Sequence, residues 1–200
     1  VLSELDALLK KVTVGMEAYK LAEASRPIAD FVTELSQWYV RRSRERFKGA
    51  DEKDKSQALA TLHFTLLTLS KLMAPFTPFI AEKIYQEVQS QKSTTTASGV
   101  SLHGGKVQSQ MKESVHLEDW PEVDKKMIND KLIKVMEEVR KTVETALALR
   151  AENGIKVRQP LNKLTIYYQL EDGLKQIIAD ELNVKNVEAI KGSEADKNKV

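Results

Sequence analysis

The sequence predicts a mainly α protein, in which a helical bundle of five helices is followed by a small β-α-β appendage. Two observations predict this class. Apolar residues recur at spacings of three and four as far as Gly154, which is the period of amphipathic helices. Beyond Gly154, short runs of β-branched and aromatic residues flank one helical pattern, as expected for strands. We therefore predict a helical domain over residues 1–153 and a small α/β piece over residues 154–200.

The first two helices are predicted from their apolar faces and their ends. Val1–Tyr19 places its leucines on one side of a helix, and Leu21–Phe47 repeats that pattern. Gly49 ends the second helix, because glycine readily adopts the left-handed conformation at a helix terminus. Pro27 either kinks this helix or lies in its first turn, and the sequence leaves both interpretations open.

Two further helices meet at Pro75. Asp51 or Asp54 can cap the first of them, whose apolar residues cover so much of its circumference that we expect it to be central. Thr77 followed by Pro78 is typical of a helix start. We therefore expect another helix to begin there and to run to the next polar stretch.

The remainder alternates polar stretches with ordered elements. Gln91–Gln110 is rich in Ser, Thr, Gly and Gln, and we predict a mobile loop. A long helix is predicted over Asn129–Glu152, and it is followed by a strand at "KLTIYY", a helix at "EDGLKQIIADEL" and a strand at "VKNVEAIK". The polar tail Gly192–Val200 is expected to be frayed.

Composition excludes several classes of function. The chain is 42% hydrophobic and 30% charged with a formal net charge of +2, which excludes a broadly basic surface but allows a local basic patch. The absence of cysteine excludes a disulfide framework and a thiolate zinc site, and it is compatible with a cytoplasmic location. His63, His103 and His116 lie far apart, so we predict no metal site and no catalytic residues. This chain alone is not expected to be an enzyme.

The stretch "DFVTELSQWYVRRSRERF" is the strongest candidate for binding. An aromatic pair, Trp38 and Tyr39, precedes four arginines, which are Arg41, Arg42, Arg44 and Arg46. On a helical wheel Arg42 continues the apolar stripe of Leu35 and Trp38, and Arg150 continues the stripe of the long helix. Guanidinium forks bind phosphate and aromatic faces stack on unpaired bases, which favours single-stranded RNA. Arginines that serve the helix dipole and cover the core edge, or a protein-docking helix, are the alternatives.

Four segments resemble one enzyme family in their order and spacing. They are "DFVTELSQWYVRRSRERF", "LSKLMAPFTPFIAEKIYQ", "SVHLEDWPE" and "LRAENGIKVRQPLNKLTI", and the resemblance that they mark extends over most of Leu2–Ile166. In these segments the chain resembles isoleucyl-tRNA synthetases more than the valine, leucine or methionine enzymes. The resemblance implies a helical anticodon-binding domain whose partners are tRNA that accepts isoleucine and the catalytic core of the same polypeptide. No membrane partner is expected, because no apolar run approaches the ~20 residues that span a bilayer.

The resemblance also implies which residues meet RNA. The basic residues implied are Arg41, Arg42, Arg44 and Arg46, with Lys156 and Arg158 as a second basic candidate. Trp38 and Tyr39 are candidate aromatic contacts, although the place of Trp38 on the apolar stripe predicts that it belongs to the core.

Two departures from the family limit what this chain is expected to do. Lys48 stands where the family often has Trp. The His-Ile-Gly-His and Lys-Met-Ser-Lys-Ser signatures are absent, so no cofactor is expected here, and ATP and Mg²⁺ are expected in the parent enzyme. The same domain of the valyl or leucyl enzyme, or a helical protein-binding scaffold, remains the alternative.

Overall fold

The computed structural model describes residues 1–90 and 112–190. Contacts divide the chain into two compact units, Val1–Asn129 and Asp130–Val200. This division falls at the start of the long predicted helix, whereas the predicted domain boundary at residue 153 falls at its end; the domain boundary stays a prediction. The mobile loop predicted at Gln91–Gln110 and the frayed tail predicted at Gly192–Val200 lie outside the described residues.

The first unit is helical. Its described α-helices are α1 (Leu2–Glu17), α2 (Leu21–Glu34), α3 (Arg44–Lys48), α4 (Glu52–Met73) and α5 (Pro78–Ser90). A π-helical segment (Leu35–Val40) follows α2, and a single 3-10 turn (Val115–Leu117) packs on α5. α4 contacts each of the other four helices, which confirms the prediction that it is central. No helix in the described ranges is long and apolar enough to cross a membrane.

The core of this unit lies between α1, α2 and α4. Its members are buried aliphatic and aromatic side chains, among them Leu5, Leu9, Val12, Ile28, Phe31, Leu35 and Leu72. Removal of this apolar surface from water is the main driving force for folding. Gly15 lets α1 approach α2 closely, since a Cβ at this position would lie 2.9 Å from the Cβ of Ala24.

Two alternatives left open by the sequence are resolved in this unit. The carboxylate of Asp51 accepts hydrogen bonds from the backbone N–H groups of Lys53 and Asp54, at 3.0 and 3.2 Å, so Asp51 is the cap of α4. Pro27 lies inside α2, after its first turn. Its missing N–H removes one hydrogen bond from the interior of that helix.

The π-helical segment corrects the prediction of one continuous helix over Leu21–Phe47. A π turn holds more residues than an α turn, so every later side chain lags behind its position on a regular helical wheel. The buried face of Leu35 therefore continues through Tyr39 and Ser43, which is 4% exposed. The prediction that this face passes through Trp38 and Arg42 was wrong, because it assumed an unchanged α-helical period.

A buried cluster holds the segment that follows residue 111 on the first unit. The Tyr85 hydroxyl lies 2.8 Å from the Lys112 carbonyl oxygen and 2.5 Å from Glu118 Oε1. Lys71 Nζ lies 2.8 Å from Glu118 Oε2. Burial raises the pKa of Glu118, but hydrogen bonds from Lys71 and Tyr85 lower it more, to about 2. The Glu118 carboxylate is therefore ionised at neutral pH and anchors this segment to α4 and α5.

The second unit is a parallel β-α-β motif with one long helix. Its elements are α6 (Asp130–Glu152), β1 (Leu161–Ile166), α7 (Asp172–Leu182) and β2 (Val184–Ala189). The strands pair in parallel, with Leu161 opposite Val184, and α6 packs on α7. A parallel pair requires a crossover connection, which α7 supplies. The predicted class, mainly α with a small β-α-β appendage, is thus confirmed, although β1 begins before "KLTIYY".

Candidate nucleic-acid interface

The first candidate site is the arginine cluster, defined as Arg41, Arg42, Arg44 and Arg46. It follows the π-helical segment and extends into α3, just before the chain turns into α4. Half-buried Tyr39 fastens this region to α4, because its hydroxyl donates a 2.9 Å hydrogen bond to the Ala58 carbonyl oxygen. Its ring also meets that of Phe47 edge-on, with centroids 6.4 Å apart.

Tyr39 and Trp38 differ in their surroundings. Tyr39 packs against the buried cluster of the first unit, and burial raises the pKa of its hydroxyl, an effect that a hydrogen bond with Thr61 partly offsets. Trp38 is half-buried and is not among the described side chains that pack on this cluster. The aromatic residue taken into the core is therefore Tyr39, whereas the sequence predicted Trp38.

Arg46 is engaged by an acidic partner. Its Nη2 lies 2.6 Å from Asp54 Oδ1 and its Nε lies 2.9 Å from Asp54 Oδ2, a bidentate arrangement. The hydrogen bond from Arg46 lowers the pKa of Asp54, and the same bond raises that of Arg46. Both side chains are 42% exposed, so water screens the pair. An RNA phosphate could take the Arg46 fork only by displacing Asp54.

The other arginines of the cluster differ in how much of the guanidinium is occupied. Exposed Arg41 donates from Nε to the carbonyl oxygen of Gln37, one turn earlier, at 2.7 Å. Arg42 is half-buried. Arg44 is exposed, and its side chain forms no hydrogen bond or ion pair within residues 1–90 and 112–190. Arg44 therefore has its whole fork available to a ligand.

The second candidate site is the basic loop, residues 154–160, which joins α6 to β1 within the second unit. Gly154 has a φ of +68°, a left-handed conformation that glycine adopts without strain. A turn follows, closed by a 2.9 Å hydrogen bond from the Gln159 N–H to the Lys156 carbonyl oxygen. The side chains of Lys156 and Arg158 are exposed, and neither has a hydrogen-bond or ion-pair partner in the described part of the chain.

A buried arginine lies beneath this loop. Arg150, in the last turn of α6, is 5% exposed. Its Nη2 lies 2.7, 3.3 and 2.5 Å from the carbonyl oxygens of Lys156, Val157 and Gln159. The sequence placed Arg150 on an apolar stripe but assigned it no role. A cation at a core position was the signal that could have identified it, because a buried charge requires polar partners.

The comparisons with known proteins cover both sites. The family described as "Anticodon-binding domain of tRNA ligase" matches residues 1–166. The isoleucine–tRNA ligase of Thermus thermophilus is 41% identical over 96% of this chain, and that of Streptomyces coelicolor is 41% identical over 94%. The isoleucine–tRNA ligase of Methanopyrus kandleri is 39% identical over 94%.

The chain corresponds to only part of these relatives. It spans 18% of the Thermus thermophilus protein and 16% of the Methanopyrus kandleri protein. The aligned part nevertheless includes nearly all of this chain, and the family match includes the arginine cluster and the basic loop. This chain therefore belongs to the anticodon-binding domain family of tRNA ligases.

Proposed function

We propose that this chain binds the anticodon region of tRNA that accepts isoleucine, as part of an isoleucine–tRNA ligase. One observation carries this proposal: ligases named for isoleucine align with 94–96% of the chain, at about 40% identity. This supports the isoleucine enzyme over its valyl or leucyl relatives and over a protein-binding scaffold.

The catalytic chemistry is proposed for a longer protein. Attachment of isoleucine to tRNA, with ATP and Mg²⁺, is assigned to a catalytic core outside these residues, and that core is proposed as the second partner of this chain. Within residues 1–90 and 112–190, no three His, Asp or Glu side chains are grouped so that they could hold a metal ion. The location proposed for the longer protein is the cytoplasm.

The proposed RNA contacts follow the availability of each cation. Arg44, Lys156 and Arg158 are exposed without described partners, so they can neutralise phosphate without first breaking an ion pair. Arg41 is exposed, but it can contribute only by giving up contacts that it makes within the chain, among them the bond from Nε to the Gln37 carbonyl oxygen. Arg42 contributes less because it is half-buried, and Arg46 contributes only when it leaves Asp54.

Trp38 is the proposed aromatic contact. An anticodon loop exposes unstacked bases, and a base that stacks on an aromatic ring gains roughly 1–3 kcal/mol. Trp38 is half-buried and lies beside the arginine cluster in sequence, so part of its ring surface can reach a base. Tyr39 is the weaker candidate, because its ring lies against Phe47 and its hydroxyl binds the Ala58 carbonyl oxygen.

A binding titration tests the proposal. The 200-residue chain is titrated with isoleucine tRNA, valine tRNA and an isoleucine acceptor minihelix that lacks the anticodon arm, each at several salt concentrations. We expect the tightest binding with isoleucine tRNA and only weak binding of the minihelix. Equal affinity for the minihelix would contradict anticodon binding, and equal affinity for valine tRNA would contradict the isoleucine specificity.

A further inference from the structure

The basic loop keeps a defined shape with little help from packing. All residues from Lys156 to Pro160 are exposed, and Ile155 is only half-buried. Val157 exposes 45% of its surface to solvent, although it is apolar. Apolar burial therefore contributes little to the order of this loop.

Hydrogen bonds to backbone carbonyl groups hold the loop instead. The Nη2 of Arg150 lies within hydrogen-bond distance of three loop carbonyl oxygens, those of Lys156, Val157 and Gln159. From the β-α-β side, Asn183 Nδ2 donates to the Val157 carbonyl oxygen at 3.1 Å. The loop carbonyl groups thus point to Arg150 and Asn183, while the side chains of Lys156 and Arg158 are exposed.

Arg150 does more than complete the end of α6. The last carbonyl groups of that helix already accept backbone N–H groups, as in the bonds from Asn153 to Leu149 and from Ile155 to Arg150, at 3.1 and 2.8 Å. The guanidinium bonds of Arg150 reach carbonyl groups six to nine residues later, beyond the helix. All three contacts come from Nη2, and the buried Nε and Nη1 have no hydrogen-bond partner in the described part of the chain.

We propose that Arg150 is a positioning residue for RNA binding, which fixes the turn from Lys156 to Gln159 so that the side chains of Lys156 and Arg158 meet the RNA backbone together. The inference rests on the proposed function. Arg150 itself is buried and does not touch RNA. Without it the loop carbonyl groups lose their shared donor, and the two cations sample many arrangements instead of one.

A double-mutant cycle tests this role with the isoleucine anticodon stem-loop as the probe. The slope of log K against log salt is negative, and the word slope here means its magnitude. Lys156→Gln with Arg158→Gln is expected to lower this slope by about 1.4, since each lost contact to a single strand removes about 0.7. Arg150→Met is expected to lower the slope by a similar amount, and Arg150→Lys by less. Added to Lys156→Gln and Arg158→Gln, Arg150→Met is expected to change the slope no further, although it still lowers the melting temperature.

Lys163→Gln is the matched control. Lys163 also carries one positive charge in the second unit, but it lies on β1 and pairs with Glu188 at 2.6 Å. This variant is expected to keep the wild-type slope. A loss equal to that of Arg150→Met would show that any lost charge lowers the slope, and it would overturn the positioning role.

The other outcomes separate the two proposals. If the wild-type chain does not bind the stem-loop, the proposed function fails. If it binds and Arg150→Met melts early with the wild-type slope, Arg150 is only structural. A further fall in slope in the triple variant would mean that Arg150 touches RNA itself, which also overturns the inference.

Asn183→Gly keeps the test decisive if Arg150→Met does not fold. Asn183 has a φ of +51°, which glycine adopts readily, so this variant removes the side-chain donor to Val157 without backbone strain. We expect a smaller loss of slope in the same direction. If Asn183→Gly and Arg150→Lys both keep the full slope, the positioning role is rejected.

Discussion

The arginine cluster and the basic loop carry similar charges on different supports. In the cluster, the backbone of a helical region sets the position of each guanidinium, and part of the charge is used internally, by Asp54 on Arg46 and by the Gln37 carbonyl on Arg41. In the basic loop, Lys156 and Arg158 have no described partners, and a third cation, buried Arg150, holds the turn. The site with more arginines is therefore not the one with more available charge.

The largest expected effect comes from removing two exposed cations at each site. A variant with Arg41→Gln, Arg44→Gln, Lys156→Gln and Arg158→Gln should lower the salt slope of anticodon stem-loop binding by about 2.8, or about 0.7 for each lost contact. Each pair of substitutions should account for half, because the contacts of each site lie within its own unit. Titration of the three variants against the wild type checks this. If one pair alone lowered the slope as much as all four, the other site would not bind RNA.

Arg44 and Arg46 provide a sharper comparison inside the cluster. Arg44→Gln should lower the slope by about 0.7 and leave the melting temperature unchanged, because its side chain has no described partner. Arg46→Gln should leave the slope unchanged and slightly lower the melting temperature, because it breaks the α3–α4 pair with Asp54. The two variants remove the same charge, so each is the control for the other. The reverse result would show that Asp54 does not compete with RNA.

Releasing Arg46 from Asp54 should strengthen the salt dependence of RNA binding instead of weakening it. Asp54→Asn removes the carboxylate that neutralises the guanidinium, so Arg46 should gain an RNA contact and the slope should rise by about 0.7. Asp51→Asn is the control, because it removes the same charge but keeps a side chain that can cap α4. An equal rise in both variants would point to net charge alone.

The smallest effect is expected at Gly154. Gly154→Ala has no steric conflict, since nothing lies within 4 Å of the new Cβ, but the φ of +68° should cost about 1 kcal/mol of the free energy of unfolding. Gly173→Ala, also without a close neighbour but inside α7, should be neutral or stabilising. Chemical denaturation measures both. A Gly154→Ala variant as stable as the wild type would mean that the loop tolerates another backbone conformation.

The sequence predicted where the helices and strands lie better than it predicted which of their side chains face the core. Apolar periodicity located the helices and the β-α-β motif, since burial of one face imposes that period. It misplaced Trp38 and Arg42, because residue spacing does not reveal that Leu35–Val40 is π-helical. The pair of Arg46 and Asp54 joins two helices across a turn, so helical spacing within one element does not predict it. The role of Arg150 depends on carbonyl groups of an irregular loop, which have no side-chain pattern.

The π-helical segment at Leu35–Val40 also sets which way the side chains between it and α4 point about the helix axis. It rotates the residues that follow about the helix axis, relative to their positions on a regular α-helix. A π turn holds more residues than an α turn, so deletion of one residue within this segment would be absorbed by its conversion to α-helix, and Ser43 would stay on the inner face. The arginines that follow would keep both their identity and their facing. In sequence alignments of such domains, a one-residue gap at this point therefore marks the loss of the π-helical segment and not a change in the charged surface.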